Sequence, residues 1–300
     1  MISIVMASYN GEAYICEQIN SILSQTLQQF ELVVCDDCST DSTWEILKGY
    51  STIDNRIRIF RNENNIGFKN NFTKAISLAK GEYIALCDQD DIWESDHLEQ
   101  LLTHIGNKMI ACGDSLLVNS ANLSLNMTLS DQESLDFVPD DDLKKAYSVF
   151  YFRSPFQGAG MLIRRDFFAV ALPIPQQLLY HDVWFSELSC FYGGMNYFKK
   201  VISRYRQHNN NVSGGRSKRR PKLGPWFRKI LRGKYLQDRS YAALQILERV
   251  NSLTKEQRQF LEKVILHGER KKTFQGRVLN SLFELVYYKY IYSCNGRKWL

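Results

Sequence analysis

Tyr83-Ile84-Ala85-Leu86-Cys87-Asp88-Gln89-Asp90-Asp91-Ile92-Trp93 is an apolar run that breaks abruptly into acids. Residues 83–87 have the composition of a buried strand, and the acids mark its end. Side chains two apart at a strand end point the same way, so the carboxylates of Asp88 and Asp90 can face one spot. Asp91 adds a third acid, and like charges this close raise one another's pKa unless a cation neutralises them. A hard divalent ion with oxygen ligands, Mn2+ or Mg2+, is the natural counter-charge. Such an ion would bridge a diphosphate and stabilise charge on a departing phosphate. Helix capping is the plainer use of such acids, and Asp91 or Asp96 can serve it. On Asp-x-Asp alone capping is favoured; the position of the triplet in the chain reverses that judgement.

Outward from this stretch, strand and helix signals alternate. Residues 2–6 are apolar and β-branched and end at the turn cluster Ser8-Tyr9-Asn10-Gly11. Tyr14, Ile15, Ile19, Ile22 and Leu23 recur at helical spacing. Residues 30–35 form a second apolar run, ending at Asp36-Asp37-Cys38-Ser39. Residues 57–60 read as a third strand and 68–80 as a helix, and Asp96 with Glu99 reads as a capping box. Strands alternating with helices imply an α/β fold, a mostly parallel sheet with helices on both faces. Ligands bind such sheets beyond the carboxyl ends of the strands, where these polar clusters fall. Residues 106–215 are less regular, with an acidic loop at Asp140, Asp141 and Asp142 and small-residue turns at Gly158-Ala159-Gly160.

The composition limits the alternatives. A chain of 300 residues with 44% hydrophobic and 13% aromatic side chains supports a sizeable core and excludes a disordered protein. No stretch reaches the roughly 18 uncharged apolar residues of a spanning helix, and the start lacks a basic region typical of a signal peptide. Seven cysteines, an odd number, then read as reduced thiols in the cytoplasm. Cys35-x-x-Cys38 has redox or zinc spacing but no second pair, and small buried thiols are the better reading. Charge is divided unevenly. Residues 216–300 hold 21 of the 38 Lys and Arg but only 6 of the 32 Asp and Glu, so an acidic body precedes a basic tail.

Taken together, Ser8-Tyr9-Asn10-Gly11, Ser24-Gln25-Thr26, the segment from Glu31 to Asp41, Asn65-Ile66-Gly67, Lys80-Gly81-Glu82-Tyr83-Ile84 and Cys87-Asp88-Gln89-Asp90-Asp91-Ile92-Trp93 resemble a family 2 glycosyltransferase. His181-Asp182-Val183-Trp184 and Tyr205-Arg206-Gln207-His208 complete the resemblance, which spans roughly residues 1–215. It implies the GT-A fold, a Rossmann-like sheet, with Ala7, Tyr9 and Asp37 holding a nucleobase and Asp88 the ribose of a nucleotide-sugar donor. Asp90 would bind the metal, with His208 near it or the diphosphate. Asp182 would be the base of an inverting transfer; the family usually has Glu-Asp there, and His181 replaces the Glu. Gly158 and Trp184 are weaker candidates for the acceptor side. The His-Asp-x-Trp segment most resembles bacterial O-antigen and capsule transferases, including many rhamnosyltransferases, with dTDP-rhamnose or a UDP-hexose as donor.

A sugar nucleotidyltransferase shares the layout but wants a basic, glycine-rich phosphate loop after the first strand, which Ser8-Tyr9-Asn10-Gly11-Glu12 does not offer. A non-catalytic nucleotide- or glycan-binding protein on the same fold is the other alternative, and the retained acids argue against it. Three readings of the basic helical region 216–300 stand beside each other. One is a nucleic-acid arm, disfavoured because nothing in the body suggests sequence readout. The second is a helical bundle covering the sheet. The third is an interfacial helix, with Trp226, Phe227, Ile230, Leu231 and Tyr235 opposite Arg228, Lys229 and Arg232, joined by Tyr287, Tyr288, Tyr290 and Tyr292. On the third, the protein sits peripherally on the anionic inner face of the plasma membrane, where a lipid-linked oligosaccharide acceptor is found.

Overall fold

In the computed structural model, which describes residues 1–132, 140–151, 156–208 and 233–270, the first apolar run becomes β1 (Ile2–Ser8). It lies between β2 (Phe30–Asp36) and β4 (Tyr83–Asp88), parallel to both, and β3 (Ile57–Arg61) pairs with β2 in the same direction. Strands flanked by parallel neighbours and covered on both faces must be apolar almost throughout, as β1 and β2 are. Their alternate side chains feed two cores. Val5, Val33, Ile84 and Leu86 meet Phe72, Ala75 and Ile76 of α3 (Phe68–Leu78) on one face. Ile4, Met6, Leu32 and Val34 meet α1 (Ile15–Leu23), α2 (Thr43–Ile53) and α4 (His97–Ile105) on the other.

Past β4 the sheet is mixed. β8 (Met161–Arg164) runs antiparallel to β4 and to β6 (Ile110–Asn119), and β9 (Met195–Gln207) is parallel to β6. Short β5 (Ile92–Trp93) pairs antiparallel with β9, and β7 (Ser124–Thr128) with β6. Six of the nine strands among the described residues thus share one direction, and helices cover both faces, as the alternation implies. The weakly periodic stretch after residue 106 supplies the two longest strands, β6 and β9. It also supplies α5 (Leu129–Gln132), α6 (Asp142–Tyr151), α7 (Phe168–Ala171) and α8 (His181–Ser189).

Two local expectations are corrected. The acidic loop at Asp140, Asp141 and Asp142 leads into a helix, since Asp142 opens α6 and Asp141 Oδ1 accepts the Lys144 N–H at 2.8 Å. Asp96 and Glu99 do not form a capping box. The Asp96 carboxylate pairs with Lys200 of β9 at 2.6 Å, and Glu99 accepts a hydrogen bond from the Thr26 hydroxyl. A charged partner outcompetes the backbone N–H for the same oxygens.

Part of the basic region belongs to the main core. α9 (Gly233–Arg249) and α10 (Lys255–Arg270) form a hairpin whose Ala242, Ala243, Ile246, Phe260, Leu261 and Val264 join the cluster containing Val5 and Phe185. Arg239, buried in α9, pairs with the equally buried Glu187 of α8 and donates to the Val149 carbonyl. The apolar and basic residues from Trp226 to Arg232, the side chain of Tyr235, and the tyrosines from 287 to 292 lie outside the described residues. Among the described residues no helix is long and apolar enough to cross a membrane, and all six cysteines are free. Burial pushes the Cys35 thiol up to about 11.

Phe260 is buried, with its ring edge-on to Tyr147 (centroids 4.4 Å apart) and Phe150 (5.6 Å). Phe260→Ala should therefore lower unfolding stability by about 3–5 kcal/mol in urea titrations. An unchanged midpoint would mean the hairpin rests on the body without sharing its core.

Candidate active site

Strand register brings the polar clusters to one edge. Ala7 stands opposite both Cys35 and Asp88, and Ser8 opposite Asp36, so β1, β2 and β4 end level with one another. The loops that follow are knitted together. Asn10, at φ 47°, accepts the Thr40 N–H on Oδ1 and donates its own N–H to Ser39 Oγ, while the Gly11 N–H reaches Thr43 Oγ1. Asp36 turns inward to the Ser39 N–H and hydroxyl and to Arg61. Asp37 accepts from the Ile66 and Gly67 N–H groups and from Asn62 Nδ2, all within 2.9 Å. Asp37 thus holds the Asn65-Ile66-Gly67 loop against the cleft. Gly67, at φ 80°, can adopt the turn that starts α3.

The middle residue of the acidic triplet is one that sequence reasoning treated as a spacer. Gln89 accepts the Tyr9 N–H and donates to the Tyr9 carbonyl, each at 2.9 Å, and so fixes the backbone of the exposed Tyr9 at the cleft rim. Its amide lies where a side chain on residue 11 would be; a Cβ there would sit 2.2 Å from Gln89 Oε1, so any larger residue at position 11 would have to displace this amide. The glycine in the turn cluster was the available signal.

The three acids separate. Asp88 and Asp90 line the cleft, whereas Asp91 is fully buried beneath it, accepting the Arg206 N–H at 3.0 Å and Gln157 Nε2 at 3.1 Å. Pairing of β5 with β9 completes the clamp. Arg206 is itself 1% exposed. It donates to the Asp90 and Ser120 carbonyls, pairs with Glu17 of α1, and lies over the Tyr14 ring at 4.8 Å. Tyr14 stacks in turn on His208 (4.9 Å), whose Nε2 is 2.7 Å from Asp90 Oδ2. The spacing of Arg206 and His208, two residues apart on an extended segment, was the signal for this pairing.

Loss of solvation pushes the Asp88 carboxyl up to about 8, and repulsion from Asp90 and then Asp182 adds to it. A cation would relieve that repulsion. Among the described residues no three His, Cys, Asp or Glu side chains converge closely enough to cage an ion alone. Asp90 and His208, the pair that would hold an ion here, would leave its other positions to a diphosphate and water, the habit of Mg2+.

Asp182 reaches the same cleft from the mixed half of the sheet. It sits in the first turn of α8, its Oδ1 on the Val183 N–H at 2.7 Å and its Oδ2 facing the Gly158 N–H at 3.3 Å. A helix N-terminus favours a negative charge at that place. Gly158 is buried, and its glycine serves close packing on α8, since a Cβ there would come within 3.1 Å of His181 Nε2. Trp184 does not line the cleft. It is fully buried, donating its indole N–H to the Ala171 carbonyl at 2.9 Å, so the acceptor-side expectation for it is withdrawn. Ala7, Tyr9, Asp37, Asp88, Asp90, Asp182 and His208 all line one cleft of about 670 Å³, a volume suited to a small ligand.

A parallel half-sheet that ends in such an acidic turn, with a mixed half bringing a further carboxylate across to it, defines the GT-A class of glycosyltransferases. The chain belongs to glycosyl transferase family 2, whose family model matches residues 3–169. It is 31% identical over 232 residues, 76% of this chain and 86% of the relative, to TuaG of Bacillus subtilis, assigned as a teichuronic acid biosynthesis glycosyltransferase. Over 103 residues, 34% of this chain and 40% of the relative, it is 40% identical to Escherichia coli WfgD, a UDP-Glc:alpha-D-GlcNAc-diphosphoundecaprenol beta-1,3-glucosyltransferase. Staphylococcus aureus TarS with UDP-GlcNAc superposes with a TM-score of 0.61 at 19% identity, over 90% of this chain and 72% of the other. Mannosyltransferase PcManGT of Pyrobaculum calidifontis, solved with GDP-Man and Mn2+, gives 0.59 at 15%, over 99% and 76%. These structural likenesses concern the fold.

Gln89→Ala removes both bonds to Tyr9 while leaving the strands untouched. Unfolding stability should fall by about 1–2 kcal/mol, and the Tyr9 amide should exchange with solvent faster by hydrogen–deuterium exchange. Unchanged exchange would mean the loop is held without Gln89.

Proposed function

We propose that this glycosyltransferase performs an inverting transfer of a sugar from a nucleotide diphosphate, dTDP-rhamnose or a UDP-hexose, to a hydroxyl of a lipid-linked glycan in bacterial surface polysaccharide synthesis. The observation that carries the reading is the placement of Asp182, anchored by the Gly158 N–H at the start of α8, in the cleft that Asp88 and Asp90 also line. In this mechanism Ala7, Tyr9 and Asp37 border the nucleobase and Asp88 takes the ribose. Asp90 and His208 would hold Mn2+ or Mg2+, which when bound neutralises charge on the leaving diphosphate. Asp182 takes the proton of the acceptor hydroxyl as that oxygen attacks the anomeric carbon from the face opposite the leaving group. Opposite-face attack inverts the configuration. WfgD, by its name, uses a diphosphoundecaprenol-linked acceptor, which supports a lipid-linked acceptor here.

A thermal-shift screen of UDP, dTDP, GDP and their sugars, with and without Mn2+, tests the donor site, because a ligand that binds only the folded state raises the melting temperature. Metal-dependent stabilisation is expected; no response to any nucleotide in a folded sample would point to a glycan-binding relative. Asp182→Asn should keep that stabilisation while turnover falls by about 100-fold or more, the usual scale of general-base catalysis. Wild-type turnover would remove Asp182 as the base.

On this reading residues 1–215 carry the chemistry and the basic region 216–300 brings the cytoplasmic enzyme to the inner face of the plasma membrane, without contact to nucleic acid. Because α9 and α10 share the main core, truncation at residue 216 would test folding rather than binding. Replacing Arg216, Lys218, Arg219, Arg220 and Lys222 by Ser avoids this. At about 1 kcal/mol per basic residue near an anionic surface, the variant should lose flotation with phosphatidylglycerol vesicles while keeping its melting temperature. Equal flotation of both proteins would sink the membrane reading.

A further inference from the structure

His181 opens α8 immediately before Asp182 and lines the cleft, yet only 7% of it is exposed. Its ring lies against Phe72 (centroids 4.4 Å apart), with Phe185 at 5.9 Å and Phe68 at 6.0 Å, and Nε2 faces the backbone of Gly158. Neither ring nitrogen has a hydrogen-bond partner and both are sealed from water. The other buried imidazoles differ. His97 Nδ1 is 2.8 Å from the Ile202 carbonyl oxygen, and His267 Nδ1 is 2.9 Å from the Tyr151 hydroxyl. Burial keeps His181 neutral by lowering its pKa, so it offers one N–H donor and one nitrogen acceptor. An apolar ring would fill the same slot without the cost of two unsatisfied polar atoms.

We propose that His181 hydrogen-bonds a hydroxyl of a sugar ring bound in the cleft, beside Phe68 and Phe72, and thereby helps set which sugar the site accepts. The inference rests on the glycosyltransfer reading above. A half-turn about the Cβ–Cγ bond exchanges Nδ1 with Cδ2 and Nε2 with Cε1 in nearly the same volume, so a nitrogen can be turned away from Gly158 without repacking the wall. A pyranose offers what this wall lacks, hydroxyls for the nitrogens and a C–H face for the aromatic rings. The hydroxyl can belong to the donor sugar or to the acceptor sugar.

His181→Phe and His181→Asn distinguish the two sources. With Mn2+ present, both variants should be stabilised by UDP and dTDP as the wild type is. If the donor sugar is the partner, the added stabilisation by UDP-glucose or dTDP-rhamnose over the bare diphosphate disappears in His181→Phe. If the acceptor sugar is the partner, its KM for polyprenyl-diphosphate-linked N-acetylglucosamine rises about tenfold, the scale of one neutral hydrogen bond, with the donor response intact. His181→Asn, which keeps a donor and an acceptor, should recover part of either loss, and it answers alone if the Phe variant does not fold. Folded variants matching the wild type in both arms overturn the proposal. A wild type unresponsive to every nucleotide and nucleotide sugar overturns the glycosyltransfer reading instead, and this inference with it.

Discussion

The site depends on one buried acid. Asp91 has no access to solvent, and its carboxyl is raised well above the ordinary range by burial first and by Asp90 and Asp88 after it. Such a group is tolerated only where its oxygens find donors, and here they find the Arg206 N–H and Gln157 Nε2. These two bonds tie the turn after β4 to the end of β9 and to the segment leading into β8. Asp90 can then meet His208, and Arg206 can lie between Glu17 and Tyr14. The acids that face the cleft are placed by the one that does not.

The parallel half of the fold was legible because its physics is local. Uninterrupted apolar runs of strand length, each ended by acids or turn formers, have few other readings, and β1, β2, β3 and β4 follow them closely. The mixed half was harder to read. β6, nearly all buried, and β9, partly exposed, are strands of mixed composition paired across more than eighty residues, and no short window carries their partner's position. The cleft acids were legible for the same reason as the strands that end in them. Gln89 and Arg206 left only indirect signals, the glycine of the turn cluster and the spacing of Arg206 and His208, because a hydrogen bond to a distant backbone leaves no periodic trace. Trp184 was misplaced because a resemblance in sequence carries a motif and not the direction of each side chain in it, and the fourth residue of α8 turns into the core.

Charge tells a similar story. The basic tail reads as one block by composition, but α9 and α10 within it are core helices with charged outer faces, and Arg239 is spent on Glu187 inside the protein. Composition measures what a segment carries; burial decides what it presents.

The α9–α10 hairpin also constrains how the molecule comes into being. Helix α8, which bears Asp182, packs through Phe185 and Leu188 into a cluster completed by Phe260, Leu261 and Val264. During synthesis β1 to β4 leave the ribosome first, and the wall behind Asp182 stays open until Phe260, Leu261 and Val264 emerge. A chain that stops before this hairpin can therefore pair the parallel half-sheet while the helix that bears Asp182 lacks the packing behind it.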